Sequence, residues 1–353
     1  MEDVSSRMRT QPEKATATVV CGVLLACLAS SDTSAQSPAE LYSGKQIRMV
    51  IASGAGGGYD AYARTLARHM SKYVSGNPSI INQNMPGAAG ITATNWAYTV
   101  APKDGTVILA TYNALLAEPL YGNPAARYDV LKFEYIGSIG KQQNVCGTWH
   151  TSPIKTIEEA KLRELTVAAT GSTGNSASMP RILNAVLGTK FKLIMGYGTT
   201  EQRLAVERGE VDGICGLSWS TLKASNPDWT QNHRLNVLVQ TGSKAQADLP
   251  NAPLLIDLVS SADDKKVIEL LSFYEDMGRP FLMPPDTPKN MVSAVRRAFD
   301  ATMKDPAFLA DAEKSNLEVD PVTGEDMEQV IRRAYSAPKA LVQKAANYNN
   351  GVQ

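Results

Sequence analysis

Short runs of β-branched and apolar residues alternate along most of the chain with segments whose apolar positions recur every three to four residues. The first pattern predicts strands over 47–52 (IRMVIA), 106–111 (TVILAT), 165–170 (LTVAAT), 191–195 and 235–241, each ending at small or polar residues. The second predicts helices. Asp60 caps one whose Tyr62, Leu66 and Met70 share a face, and another runs over 89–99. A third follows a polar loop at 171–178 and turns Ile182, Ala185 and Val186 inward. Pro284, Pro285 and Pro288 lead into a fourth over 289–303, and the last spans 325–346 with Met327, Val330, Ile331 and Ala334 on one face. Such alternation is the signature of an α/β fold with largely parallel strands. No repeat of roughly 20 to 50 residues is visible, which excludes solenoids and propellers.

With 353 residues the chain exceeds the roughly 250–300 that one core usually organises, so about two lobes are expected. The start behaves differently from the rest. Arg7, Arg9 and Lys14 precede an apolar run at 19–29 and a small, polar stretch, which predicts a secretory signal over 1–35 with cleavage after Ala35. That run is far shorter than the roughly 20 residues of a spanning helix. Glu2 and Asp3 are unusual in such a leader, so initiation at Met8 instead of Met1 is an alternative. A lipoprotein anchor at Cys27 is another. Lys and Arg total 35, as do Asp and Glu, leaving no excess of cations for phosphates and no expectation of a nucleic-acid partner. Cleavage leaves Cys146 and Cys215. In an oxidising compartment they form a disulfide only if their α-carbons come within about 7 Å; two separate buried thiols are the alternative.

Four predicted strand-to-helix loops are rich in Gly, Ser, Thr and Asn. The first holds Ser53, Gly54, Ala55, Gly56, Gly57, Gly58 and Tyr59, where glycines let N–H groups converge beside a helix start suited to an anion. The second holds Gly87, Ala88 and Ala89; the third Thr170, Ser172, Thr173 and Asn175; the fourth Tyr197, Gly198 and Thr199. The first loop lacks the last glycine of G-x-G-x-x-G and any Gly-Lys-Ser/Thr, which disfavours phosphate cofactors. One such loop is most simply a tight turn. Four in an open α/β protein point to a ligand cleft at the carboxyl ends of the strands. The search for catalysis is thin: His69, His150 and His233 have no partners at metal-ligand spacing, and no nucleophile elbow is present. Neither a metal nor a cofactor is expected.

The segments IRMVIASGAGGGYDAYARTLARHM at 47–70, QNMPGAAG at 83–90, APKDGTVI at 101–108, GEVDG at 209–213 and FLMPPDTPKNMV at 281–292 resemble the extracytoplasmic solute receptors of tripartite tricarboxylate transporters. Two segments depart from that family's pattern, ATGSTGNSASMP at 169–180 and GYGTTEQ at 196–202. The resemblance implies a periplasmic binding fold of two α/β lobes joined by crossing strands, with 36–140 and 245–353 in one lobe and 141–244 in the other. It implies a small organic carboxylate held between them by backbone amides, hydroxyls and waters instead of an arginine clamp. One lobe then offers the 53–59 loop, 87–89 and Thr111, Tyr112 and Asn113; the facing lobe offers the third and fourth loops. Asp212, at a position shared with the family, is read as structural or as a partner for a ligand cation or amide.

The expectation is therefore a non-enzymatic, monomeric periplasmic receptor that feeds membrane transporter subunits. Two alternatives stay open: a secreted hydrolase or transferase with Ser172 or Cys215 as nucleophile, and a receptor that signals to a sensor kinase. Tyr59, Tyr112, Tyr197 and Trp219 suit an aromatic acid as well as an aliphatic one.

Overall fold

The described residues form two mixed β-sheets. The first begins with β1 (Gln46–Ile51), β2 (Ser79–Asn84), β3 (Val107–Ala110) and β4 (Glu134–Ser138). The second consists of β5 (Asn144–Trp149), β6 (Leu165–Ala169), β7 (Phe191–Met195), β8 (Gly213–Ser218) and β9 (Leu235–Gln240). The chain then returns to the first sheet with β10 (Pro280–Met283) and β11 (Val322–Thr323). The orders are β11-β4-β10-β3-β1-β2 and β7-β6-β8-β5-β9. In this computed structural model residues 41–172 and 174–352 are described. The expected signal at 1–35, with Met8 and Cys27, lies outside them, as does Thr173.

The helices are α1 (Gly58–Met70), α2 (Ile91–Thr99), α3 (Ile157–Leu162), α4 (Asn175–Leu187), α5 (Thr199–Glu207), α6 (Trp219–Ser225), α7 (Pro227–Gln231), α8 (Leu255–Leu258), α9 (Ala262–Ser272), α10 (Lys289–Thr302), α11 (Pro306–Lys314), α12 (Gly324–Tyr335) and α13 (Lys339–Asn350). Each sheet is covered on both faces, which is why β3 and β5 are buried at every position. In the first sheet Met49, Ile51 and Ile108 pack with Leu66 of α1 and Phe299 of α10. Val50, Val107 and Leu109 turn the other way, toward Ala93 and Ala97 of α2 and Ile331 of α12. In the second, Val145, Ala168 and Ile214 meet Trp219 and Trp229, while Val167 sits with Leu183 of α4.

Strand direction differs from the expectation. Only β2-β1-β3 and β7-β6-β8 are parallel; β10 and β11 run antiparallel to their neighbours, as does β5. The chain leaves the first sheet through 139–143 and re-enters it through 241–279, and the first strand after each crossing, β5 and then β10, runs against both of its neighbours. β2 lacks the apolar run of the other strands because SIINQN is a half-exposed edge strand. The predicted helix over 325–346 is two, α12 and α13, since Pro338 cannot continue the first and precedes the start of the second. Asp60 is not the cap of α1. Gly57 occupies that position, and Asp60 lies within the first turn.

Cys146 and Cys215 stand opposite each other on β5 and β8, with α-carbons 4.0 Å apart, and are joined as a disulfide. Replacing both by serine should lower stability by about 3–4 kcal/mol, because the bond closes a loop of 69 residues in the unfolded chain. Chemical denaturation of the oxidised protein and the double variant checks this; equal midpoints would contradict it.

Candidate functional site

The first loop is shaped by one carboxylate. Asp60 accepts the Gly56 N–H at 2.9 Å, the Arg64 Nε–H at 2.9 Å and the Asn84 Nδ2–H at 2.8 Å, while the same Asn84 nitrogen donates to the Ser53 carbonyl at 3.0 Å. Burial pushes the Asp60 carboxyl up, but these bonds outweigh it and hold it below the usual aspartate range. The end of β1, the end of β2 and the start of α1 are thereby tied together, and 54–57 remain exposed. The opening N–H groups of α1 have no helical carbonyl to bond.

The second loop bends through four successive residues of positive φ: Gly87 (139°), Ala88 (46°), Ala89 (51°) and Gly90 (92°). A left-handed alanine costs roughly 1–2 kcal/mol, and two in a row persist because the surroundings hold them. Gly90 cannot be otherwise: a Cβ there would lie 2.6 Å from the Tyr112 ring. Tyr112 in turn packs edge-on to Tyr59 with ring centroids 4.5 Å apart. The first loop, the second loop and the segment 111–113 therefore converge on Tyr59 and Tyr112. Burial raises both phenols, Tyr112 to about 12, so neither ionises near neutrality.

Asn113 extends the set toward the second sheet. Its Nδ2–H donates to the Tyr274 carbonyl at 3.2 Å, and the Tyr274 hydroxyl donates to Oδ1 of Asn175, the first residue of α4, at 3.1 Å. One tyrosine thus links the expected ligand loops of both sheets. Close approach of β8 supports α4 here, since a Cβ on Gly216 would meet the Asn175 carbonyl at 2.2 Å. Ser176 Oγ accepts the Thr170 N–H at 3.2 Å. Thr170, Ser172 and Gly198 are exposed.

Other expected residues are placed less directly. Thr111 is fully buried with its hydroxyl paired to Thr94 at 2.9 Å, and Asn113 Oδ1 already accepts from Tyr59 and from the Ala114 N–H. These two build the wall. Ser53 is buried, and its hydroxyl makes no hydrogen bond within 3.5 Å among the described residues. Tyr197 leans on the second-sheet core, and Trp219 lies within that core with its N–H on Asp248. Thr199 begins α5, adding a third helix start. Asp212 is tied to β6, for its Oδ2 accepts both the N–H and the hydroxyl of Thr166, at 2.6 and 2.7 Å.

Three residues escaped the reading of the sequence. Arg279 is 2% exposed, lies over the rings of Tyr59 (4.7 Å) and Tyr62 (4.9 Å), and donates to Gln142 Oε1, the Gly278 carbonyl and Thr221 Oγ1. No carboxylate among the described residues forms an ion pair with it, and its Nε has no acceptor. An arginine therefore sits behind the first loop, touching Tyr59 instead of clamping the open face. Thr221 belongs to α6 of the second sheet, and a Cβ on Gly58 would lie 3.3 Å from its hydroxyl, so the two halves touch beside the loop. Glu275 is buried where the crossings meet: its Oε1 accepts from Asn144 Nδ2 at 2.7 Å and Thr241 Oγ1 at 2.8 Å, and Oε2 has no partner. Nothing in the local sequence marks Arg279 or Glu275, because their importance comes from long-range burial.

Two α/β halves with donor-rich loops meeting at their strand ends define a two-lobed binding protein, and solved structures of that class share the fold. Periplasmic binding protein BugD superposes with a TM-score of 0.64 at 21% identity, covering 87% of this chain and 98% of its own. MatC from Rhodopseudomonas palustris with bound malate gives 0.65 at 17%, covering 85% and 98%. A Rhodopseudomonas palustris protein with adipate gives 0.65 at 16%, covering 86% and 97%. By sequence the chain is 26% identical over 323 residues to the UPF0065 protein in gbd 5'region of Cupriavidus necator, covering 88% of this chain and 90% of that protein. Residues 62–347 match the tripartite tricarboxylate transporter family receptor, and the chain belongs to that family. Among the described residues no helix is long and apolar enough to cross a membrane, and no group of three His, Cys, Asp or Glu is placed to hold a metal ion.

Burial raises the Glu275 carboxyl from 4.5 to about 8, partly offset by the bonds from Thr241 and Asn144. Unfolded, the group ionises near 4.5, whereas folded it keeps its proton to about 8, so its contribution to stability is full below 4.5 and is lost as pH rises through 8. Glu275→Gln keeps an oxygen for Asn144 and Thr241 and removes that slope. The variant should gain on the order of 2–4 kcal/mol over the parent between pH 5 and pH 8 in urea unfolding, and parallel pH profiles would contradict this.

Proposed function

We propose that the protein is an exported receptor that captures a small organic carboxylate between its lobes and passes it, chemically unchanged, to membrane subunits of a tripartite transporter. The observation that carries the reading is Tyr274, which links Asn113 of one ligand-facing loop to Asn175 at the start of α4. Helix starts and glycine loops on either side of that link supply N–H donors where a carboxylate needs them. Arg279 adds a positive charge that no protein carboxylate neutralises in an ion pair among the described residues. The carboxylates named for two fold neighbours, malate and adipate, fit this donor set.

In this reading 36–140 and 245–353 act as one lobe, 141–244 as the other, and a leader over 1–35 directs a monomeric receptor to the periplasm. Direct contacts come from the backbone of 54–59, 87–89 and 174–176, with Ser53, Thr170, Ser172 and Thr173 as hydroxyl donors and Tyr197, Gly198 and Thr199 at the rim. Ligand bound to both lobes favours the closed arrangement by its differential contacts. The hydrolase alternative loses Cys215, whose sulfur is bonded to Cys146.

Thermal shift with malate, adipate, citrate, benzoate, amino acids and sugars tests the reading. One class of carboxylate should stabilise the protein and be recovered intact; a ligand at 100 times its dissociation constant adds about 2.7 kcal/mol. No response to any carboxylate, or consumption of the compound, would overturn the receptor reading.

Two variants locate the site. Gly57 has ordinary extended geometry (φ −81°, ψ 167°), and a Cβ there would meet only the Gly54 carbonyl at 3.7 Å, so Gly57→Val should fold normally yet fill the space before α1 and abolish the response. An unchanged affinity would remove the first loop from the site. Thr170→Ala should weaken binding by about 1 kcal/mol, measured by calorimetric titration, and no loss would take that hydroxyl out of the contact set.

A further inference from the structure

A fully buried arginine is normally paired with an acid, because the hydration it loses must be replaced. Arg279 is buried, yet all its acceptors are uncharged: Oε1 of Gln142, the Gly278 carbonyl at 2.9 Å and Oγ1 of Thr221 at 3.2 Å. The rings of Tyr59 and Tyr62 stand 4.7 and 4.9 Å from its central carbon. Acids in the neighbourhood are engaged elsewhere. Asp60 holds Arg64 at 2.9 Å, and Lys223 is shared by Glu318 at 2.6 Å and Asp248 at 2.9 Å. Glu318 and Asp248 are also open to solvent, which screens them. Glu275, whose carbonyl accepts the Gln142 N–H, keeps its proton near neutrality because burial pushes its carboxyl up to about 8. Arg279 is thus a charge withheld from water with no counter-charge bonded to it among the described residues.

Its position gives that charge a use. Tyr59 is the second residue of α1, and a Cβ on Gly58 would lie 3.3 Å from the Thr221 hydroxyl to which Arg279 donates. The guanidinium therefore stands beside the opening of α1, behind the first loop. We infer that Arg279 is the charge-selecting residue of the receptor site: without touching the ligand, it holds a positive potential behind the 53–58 loop that favours an ionised carboxylate there over an uncharged group of the same shape. The inference rests on the receptor reading, in which that loop meets a carboxylate. Two unit charges about 10 Å apart, at an effective dielectric of about 20, attract strongly enough to change an equilibrium about tenfold. Burial keeps salt from screening this charge as it screens those at the surface.

Calorimetric titration of the parent, Arg279→Met and Arg279→Lys tests this with malate, adipate, citrate and benzoate, each beside its uncharged amide, the amides read by competition. The carboxylate that binds the parent should lose at least about tenfold in Arg279→Met, while its amide changes by less than about threefold. Arg279→Lys, which keeps the charge without the planar fork, should restore the preference for the acid. An arginine that only supports the loop would weaken acid and amide alike. Equal losses, no loss of the acid, or no recovery in Arg279→Lys would each overturn the assignment and leave the receptor reading standing. Failure of all four carboxylates to bind the parent would overturn both. If Arg279→Met does not fold, Arg279→Gln takes its place, and the nitrogen resonance of the Arg279 Nε–H is followed in the parent. That resonance should move with the acid and stay with the amide; a signal that ignores the acid, or follows both alike, would overturn the assignment.

Discussion

A carboxyl group buried where the chain crosses between two sheets governs how the halves of this protein can be arranged. Glu275 takes hydrogen bonds from Asn144, at the start of β5, and from Thr241, just past β9, while its own carbonyl accepts the Gln142 N–H at 2.8 Å. Both crossing segments are thus fastened to one residue. Polar groups withdrawn from water must find partners in fixed directions, whereas apolar packing tolerates many. The segments that join the two sheets are therefore held at a knot with few allowed geometries.

The ligand loops depend on the knot at one remove. Gln142 carries the Tyr59 hydroxyl at 2.8 Å and the Arg279 guanidinium, and Tyr59 in turn meets Tyr112 and Asn113. Across the rim Lys223 of α6 pairs with Glu318 at 2.6 Å, and Tyr62 donates to the Glu318 carbonyl. Rotation of one lobe cannot leave these contacts untouched. Strain is held in the same region, in the left-handed Ala88 and Ala89, as is common where a backbone is shaped for a ligand instead of for its own stability.

Much of this was legible in the chain itself. The apolar strands ended where predicted to within a residue or two, because burial on both faces demands continuous apolar runs. Glycine, serine and threonine after those strands marked the loops, since small residues follow tight turns easily and leave donors exposed. What escaped depends on partners distant in sequence. Asp60 looked like a cap but is drawn into the first turn by Asn84 and the Gly56 N–H. SIINQN has no apolar face because its strand lies at an edge. The pairing of Cys146 with Cys215 follows from the register of β5 on β8, which no spacing reveals. Arg279 and Glu275 look like surface residues, and only the crossing buries them.

The central claim is that both lobes hold one ligand together. Hydrogen–deuterium exchange of the protein, with and without the carboxylate selected by thermal shift, reads the donors of each lobe in a single experiment. Protection should rise in concert at 54–59 and 87–90 in the first lobe and at 174–177 in the second, with the same dependence on ligand concentration. Protection confined to one lobe, or appearing at neither, would contradict the account.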